Sequence, residues 1–341
     1  MRFISRILFL SLTFFLLSIN AQTLEPLTPT ELLSMNKLSG YNLSPDGKYL
    51  IIGVKKWNPE TGKSYSHLQY KDLETNITKT LTPNIEGQSD TSPQFSNSFP
   101  GFLFFQRSNK DIKSSIYYIQ FPPQEISEND EDKSVKLTDY ILPISEYKLK
   151  SKTILFNTDV YFQCKTMNCT NELIEKESKQ NYQIYNKLFV NHWDTWLIEG
   201  KGSHLFIQEL ELEDNTIILK NEVKDVTQGM EINTPPLFTD SSNYDLSNDG
   251  KKIAFSAHLR NNEEAWKTGY KTYYMDLVKM KNPVCITNHT NARTQNPVFS
   301  NDNTKIAYLA MKIPGLESEI LHFEIYNIQN VKFHFLILEF S

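Results

Sequence analysis

Cysteine is scarce in this chain, with three residues in 341, and that excludes a small disulfide-held scaffold. None of the three stands in a Cys-x-x-Cys pair or near a histidine at ligand spacing, so neither a zinc site nor any other metal or cofactor is expected. Glycine is sparse at 12, whereas Phe and Tyr number 21 and 17, and this richness in strand-forming residues argues against a helix bundle or coiled coil. Positive charge is in deficit. The 35 basic and 40 acidic residues leave a net charge of −5, unlike a protein that neutralises nucleic-acid phosphates. Beyond the N-terminus no uninterrupted apolar run reaches 18 residues, so no stable membrane span is expected. What remains is 39% hydrophobic and 22% charged residues, enough to bury a substantial core as two domains or one large all-β domain.

The first 21 residues read as an address. Arg2 and Arg6 form a positive start, Ile7 to Leu17 is apolar, and Ala21 sits where a signal peptidase cuts, although Ile19 is not the small residue preferred two positions earlier. The competing reading is an uncleaved anchor, which a run of 11 residues is short to provide. Removal of residues 1–21 leaves 33 basic against 40 acidic residues in a chain expected to be secreted or to sit in the lumen of the secretory or lysosomal pathway. Four sequons suit that compartment as glycosylation acceptors: Asn42-Leu-Ser, Asn76-Ile-Thr, Asn168-Cys-Thr and Asn288-His-Thr. Oxidising surroundings favour Cys164 and Cys169 as a disulfide around a small loop, the alternative being two thiols, with Cys285 left over.

Internal repetition is the most specific signal. Leu43-Ser-Pro-Asp-Gly-Lys-Tyr-Leu-Ile-Ile-Gly-Val54 returns as Leu246-Ser-Asn-Asp-Gly-Lys-Lys-Ile-Ala-Phe-Ser-Ala257 and as Phe299-Ser-Asn-Asp-Asn-Thr-Lys-Ile-Ala-Tyr-Leu-Ala310. Ser247 and Ser300 are 53 residues apart, and a degenerate copy at Pro93-Gln-Phe-Ser96 lies 52 residues after Ser44. A fifth, weaker copy runs from Tyr147 through Thr153-Ile-Leu-Phe156. In each copy a Ser-x-Asp-Gly turn leads to an apolar strand, then to a strand of alternating polarity, and the repeat closes on a Leu-Thr-like pair. Those pairs are Leu81-Thr82, Leu137-Thr138, Val226-Thr227 and Ile286-Thr287. Strand, turn, strand and turn every 50 residues or so predicts an all-β fold, a β-propeller of about five four-stranded blades over residues 22–330. Mixed Glu and Lys at helical spacing in Asn171 to Gln180 predict one helical insertion near 165–185, which a Cys164–Cys169 bridge would staple. The acidic run Glu128 to Asp132 reads as a solvated loop.

These repeats resemble the Ser-Pro-Asp-Gly-Lys blades of the prolyl oligopeptidase family. Longer segments are similar to its secreted dipeptidyl peptidase V and acylaminoacyl peptidase branch: Leu27-Thr-Pro-Thr-Glu-Leu-Leu, Lys187-Leu-Phe-Val-Asn-His-Trp-Asp-Thr-Trp196, Glu263-Glu-Ala-Trp266 and Ala310-Met-Lys-Ile-Pro-Gly315. The resemblance implies an N-terminal propeller that restricts access to a C-terminal α/β-hydrolase domain, which cleaves short peptides by Ser, Asp and His. It also implies that acidic propeller residues hold the substrate's positive N-terminus, for which Glu263 and Glu264 are the candidates; read on their own, the two form a solvated acidic loop after a blade strand.

Departures from the family set the remaining expectations. No Gly-x-Ser-x-Gly pentapeptide occurs; Gly200-Lys-Gly-Ser203-His204 lacks the second glycine and reads as a blade loop, so no catalytic residue is assigned. No α/β-hydrolase domain is expected in these residues. The apolar segment Val331 to Phe340 reads either as a strand closing the sheet or as the divergent tail, residues 331–341, of a truncated product. His192, Trp193, Asp194 and Trp196 cluster in sequence and read as packed aromatics around a hydrogen-bonded histidine. Two functions stand: the propeller of a secreted dipeptidyl-peptidase-like serine peptidase acting on short peptides, or a stand-alone secreted binding module with a protein partner on a propeller face.

Overall fold

A computed structural model describes residues 26–110, 113–123, 132–279, 282–329 and 332–336. The signal-peptide reading of residues 1–21, most of the acidic run, and residues 337–341 lie outside them. The described chain is mostly strand, arranged as successive antiparallel units. The first holds β1 (Lys37–Leu43), β2 (Tyr49–Trp57), β3 (Ser64–Asp72) and β4 (Thr78–Thr80); the second holds β5 (Ser89–Phe95), β6 (Phe102–Ser108), β7 (Ser115–Gln120) and β8 (Val135–Lys136). A third unit, in the order β14-β13-β10-β9, uses β9 (Glu146–Lys150) and β10 (Thr153–Tyr161) with β13 (Lys201–Glu213) and β14 (Thr216–Asp225). Between β10 and β13 come a helix and the small hairpin β11 (Asn191–His192) and β12 (Thr195–Trp196). A fourth has β15 (Ile232–Asn233), β16 (Tyr244–Leu246), β17 (Lys252–Leu259), β18 (Lys271–Asp276) and β19 (Val284–Cys285); a fifth has β20 (Thr294–Phe299), β21 (Lys305–Ala310), β22 (His322–Asn327) and β23 (Lys332–Leu336). This is the all-β propeller architecture expected from the repeats. Residues Lys332–Leu336 follow the strand reading of the C-terminal segment, pairing with β22.

The repeated turn has one geometry in all three clear copies. Ser44 Oγ donates to Asp46 Oδ1 at 2.6 Å and accepts from the Tyr49 amide at 2.9 Å. Ser247 makes the same pair of bonds to Asp249 and the Lys252 amide, and Ser300 to Asp302 and the Lys305 amide. The fourth turn position is left-handed, with φ of 72° at Gly47, 70° at Gly250 and 59° at Asn303. Asparagine tolerates that region better than other side-chain-bearing residues, which is why the third copy works without glycine.

The Leu-Thr pairs recur for an equally definite reason. The hydroxyls of Thr82, Thr138, Thr227 and Thr287 accept the strand amides of Leu68, Ile116, Leu205 and Thr272 at 2.8–3.1 Å. All four threonines are at most 1% exposed, so losing one hydroxyl strands a buried N–H, at a cost of about 1–3 kcal/mol.

Central strands are buried on both faces, so they read as apolar runs rather than alternating ones. Leu103, Phe104 and Phe105 on β6 are fully buried; Leu103 and Phe105 pack toward the first unit with Ile51 and Leu68, and Phe104 toward the third with Tyr147 and Phe156. On β17, Ile253 and Phe255 join Leu155 and Leu205, while Ala254 faces Ile306 and Tyr308 of the fifth unit. Each central strand thus stitches its unit to both neighbours, and each fully buried Phe or Ile contributes about 1.5–3 kcal/mol.

Two α-helices and a single 3-10 turn at Ser241–Asn243 complete the described chain. Pro29–Ser34 forms α1, started by a capping box between Thr28 and Glu31 that the sequence reading did not use. The inserted helix α2 spans Met167–Glu177, a few residues earlier than the 171–180 segment predicted it, because Thr166 caps it by accepting from the Cys169 amide. Cys164 and Cys169 are joined as a disulfide beside that cap, and Cys285 is a free, half-buried thiol. No helix among the described residues is long and apolar enough to cross a membrane.

Candidate peptide-binding site

The loop after β17 distinguishes its two glutamates. The Glu263 amide bonds Asn261 Oδ1 at 2.9 Å, and the Glu264, Trp266 and Lys267 amides return to carbonyls three or four residues back, so Arg260 to Lys267 winds into a tight turn. Residues one apart on such a turn point about 100° apart. Glu263 therefore faces solvent, paired with Lys267 at 2.7 Å, and Glu264 turns inward until only 6% of it is exposed. The loop returns over Gly269, where an added Cβ would stand 2.5 Å from the Asn291 carbonyl oxygen, so glycine is required for that approach.

Glu264 lines a cavity of about 300 Å³. Its opposite walls come from the third unit and its insertion: Tyr161 at the end of β10 with Phe162 after it, Glu177 at the end of α2, Tyr185, Lys187 to Phe189, Leu197, Glu199 and Gly200. Four carboxylates reach it (Glu177, Glu199, Glu231, Glu264) against two cations, Lys187 and Arg260. The cations are engaged: Arg260 Nε holds Glu264 Oε2 at 3.0 Å, and Lys187 Nζ stands 3.5 Å from Glu231 Oε2.

Among the described residues Glu264 Oε1 has no hydrogen-bond partner, and the reason lies in His258. Its Nε2 is 2.8 Å from the Lys267 carbonyl, which can only accept, so Nε2 carries the proton. Burial holds His258 below the ordinary histidine range, and Arg260, His192 and Arg293 press the same way against the Lys267 bond, so the ring is neutral at pH 7. Its Nδ1, 3.7 Å from Glu264 Oε1, is then itself an acceptor and cannot satisfy the carboxylate. Burial pushes the Glu264 carboxyl up to about 7, with Arg260 and Lys187 opposing the shift. Across the cavity the Tyr161 hydroxyl donates to Glu177 Oε2, and burial together with that carboxylate raises its pKa.

Other residues singled out from sequence fall differently. His192 and Asp194 do not pair; residues 193–194 form the turn of the β11–β12 hairpin, Asp194 bonds Thr195, and His192 Nδ1 is buried without a partner. The packed-aromatic reading is therefore corrected in part. His192 contacts Phe189, Trp193 and Phe238, but Trp193, stacked on Phe238 at 5.5 Å, is 79% exposed. Asn76, Asn168 and Asn288 are exposed, whereas Asn42 is half-buried and donates to the Pro93 carbonyl at 3.0 Å. Glu177, Glu199 and Glu231 were not foreseen: they lie up to 87 residues from Glu264, the first two in the insertion without repeat signal and the third in the connection after Val226-Thr227.

No family model matches the chain. It is 26% identical over 337 residues to dipeptidyl-peptidase 5 of Aspergillus fumigatus, across 92% of this chain and 44% of that protein, and 30% identical over 162 residues to a probable dipeptidyl-peptidase 5 of Arthroderma benhamiae, across 44% and 22%. The chain thus spans less than half the length of the curated relatives it matches. Among solved structures, an acylaminoacyl peptidase of Pyrococcus horikoshii aligns with a TM-score of 0.55 at 13% identity over 86% of this chain and 39% of that one, a likeness of fold. The fold is thus that of a propeller. The relatives in sequence are dipeptidyl-peptidase 5 proteins, as the repeat motifs implied.

Proposed function

We propose that this chain is the substrate-recognising propeller of a secreted dipeptidyl-peptidase-like serine peptidase, and that the cavity at Glu264 receives the free N-terminal ammonium of a short peptide. One observation carries this reading: a carboxylate more than nine-tenths buried, with one oxygen unpartnered, faces an acidic cavity in a chain related to dipeptidyl peptidases. An ammonium placed there would satisfy Oε1 with a charge-assisted hydrogen bond, an interaction that a blocked N-terminus cannot make. Glu264, not Glu263, is the anchor, because Glu263 is exposed and already paired with Lys267.

The test is titration of the purified chain with a tripeptide and with its N-acetyl counterpart. The free-amine peptide is expected to bind at least about 10-fold more tightly, the scale of one charge-assisted bond. Equal affinities would overturn the reading. Secretion is supported by the Arg2-to-Ala21 segment and by the exposure of Asn76, Asn168 and Asn288. Expressed in a glycosylating host, the chain should lose mass on N-glycosidase treatment, and an unchanged mass would count against the compartment.

A second reading, a secreted binding module with no peptidase role, is favoured by the exposed stack of Trp193 on Phe238. It predicts that a protein partner is lost when Trp193 is replaced, whereas the peptide reading predicts loss at Glu264.

A further inference from the structure

Beside the Glu264 cavity, and sharing with it Glu177, Tyr185 and Glu199, lies a larger trough of about 760 Å³ between the end of α2 and the end of β12 with the turn that follows it. Its rim is aromatic. Tyr182 and Trp196 are 59% and 65% exposed, and the Tyr185 and Trp196 rings sit 6.4 Å apart at 37°. Glu177 and Glu199 are half-buried where the two spaces meet. One Glu177 oxygen takes the Tyr161 hydroxyl and one Glu199 oxygen takes the Asn186 amide, neither of which supplies charge. The two cations of the neighbouring cavity are held elsewhere, Lys187 at Glu231 and Arg260 at Glu264. Two carboxylates that no cation among the described residues pairs, facing exposed aromatic rings, suit an organic cation and repel an anion. The unpartnered oxygen of buried Glu264, in the cavity that Glu177 and Glu199 also line, is an independent sign that this wall meets a cationic ligand.

We propose that the trough is a second cation subsite, taking the ammonium or guanidinium of a basic side chain near the start of a peptide whose N-terminus sits at Glu264. The inference rests on the N-terminal reading above and narrows it to short peptides with Lys or Arg among their first residues. The carboxylate pair meets the charge while Trp196, Tyr185 and Tyr182 cover the aliphatic stem and the cation's flank. A free alkyl diamine carries the same ammonium chemistry, and the test separates the two sources.

Four probes would be titrated into the purified chain: Lys-Ala-Ala, its norleucine analogue, N-acetyl-Lys-Ala-Ala and 1,5-diaminopentane. The lysine peptide is expected to bind about 10-fold more tightly than the norleucine one. That ratio should fall to about 1 in the Glu177→Gln/Glu199→Gln variant, whose thermal transition is checked against the wild type. It should persist in Glu211→Gln, a carboxylate outside the site. A ratio near 1 in the wild type overturns the subsite while leaving the N-terminal reading standing. If the acetylated peptide and the diamine bind as well as the free lysine peptide, the cation subsite is upheld and the N-terminal reading fails. Trp196→Ala, which leaves both carboxylates in place, should lower the ratio by itself; an unchanged ratio would remove the aromatic half of the proposal.

Discussion

Asp90→Ala should lower the unfolding free energy by about 3–5 kcal/mol, the usual result of leaving one partner of a buried ion pair behind. Asp90 is fully buried on β5 and grips Arg107 on β6 with both oxygens, at 2.6 Å to Nε and 2.8 Å to Nη2. Arg107, 3% exposed, also reaches Asp132 and Ser134, and its guanidinium lies 4.8 Å from the centre of the Tyr117 ring. Removing Asp90 leaves a desolvated guanidinium with a half-exposed partner, and no rearrangement of a packed β-sheet brings water to it cheaply. Urea unfolding of the variant measures the loss. A change below about 1 kcal/mol would mean that Asp132 alone suffices. Asp90→Ala combined with Arg107→Met should recover part of the deficit, since apolar replacement of both partners removes the stranded charge.

Glu264→Gln should weaken binding of free-amine peptides by roughly 30- to 100-fold, in the range for truncating one side of a desolvated charge pair. The glutamine keeps an oxygen for Arg260 and gains an amide that can donate to His258, so the turn is retained. Two pH dependences of opposite sign should vanish with it. The Glu264 carboxyl titrates near 4.5 in the unfolded chain and at about 7 when folded. Between those values the folded chain keeps a proton that the unfolded chain has lost. This part of the stability is therefore full below about pH 4.5 and is lost as pH rises toward 7, on the order of 3 kcal/mol. Peptide affinity runs the other way, rising through pH 7 as the carboxylate forms. Wild-type and variant titrations at pH 5.5 and 7.5 check both; a variant with wild-type affinity and an unchanged pH profile would remove Glu264 from the site.

Much of the architecture was legible because its physics is local. A Ser hydroxyl, an Asp carboxylate and a residue able to take positive φ close one turn, and apolar runs signal strands buried on both faces. The Leu-Thr pairs were visible as punctuation, but their role was not, since the amide that each hydroxyl satisfies lies 14 or more residues away. The helix start at Thr28 was missed because it interrupts strand patterning for little more than a turn, whereas the insertion near 165–185 was legible from its charge spacing. The site was half legible. The Glu263-Glu264 pair could be found by motif, but which member turns inward depends on Asn261 and Gly269 and on what packs over the loop. Glu177 and Glu199 sit in the insertion, where no repeat predicts position, and only tertiary folding brings them to Glu264.

The Cys164–Cys169 bridge encloses a loop so short that it restricts the unfolded chain very little, and the global stability it adds is correspondingly small. Its effect is on local opening. By tethering the start of α2 to the end of β10, it raises the free energy of a partial unfolding in which the helix swings away while the sheets stay intact. Glu177 is the last residue of the same helix, so the bridge anchors the beginning of the element whose end lines the cavity, while Met167 and Ile174 pack its body on the core.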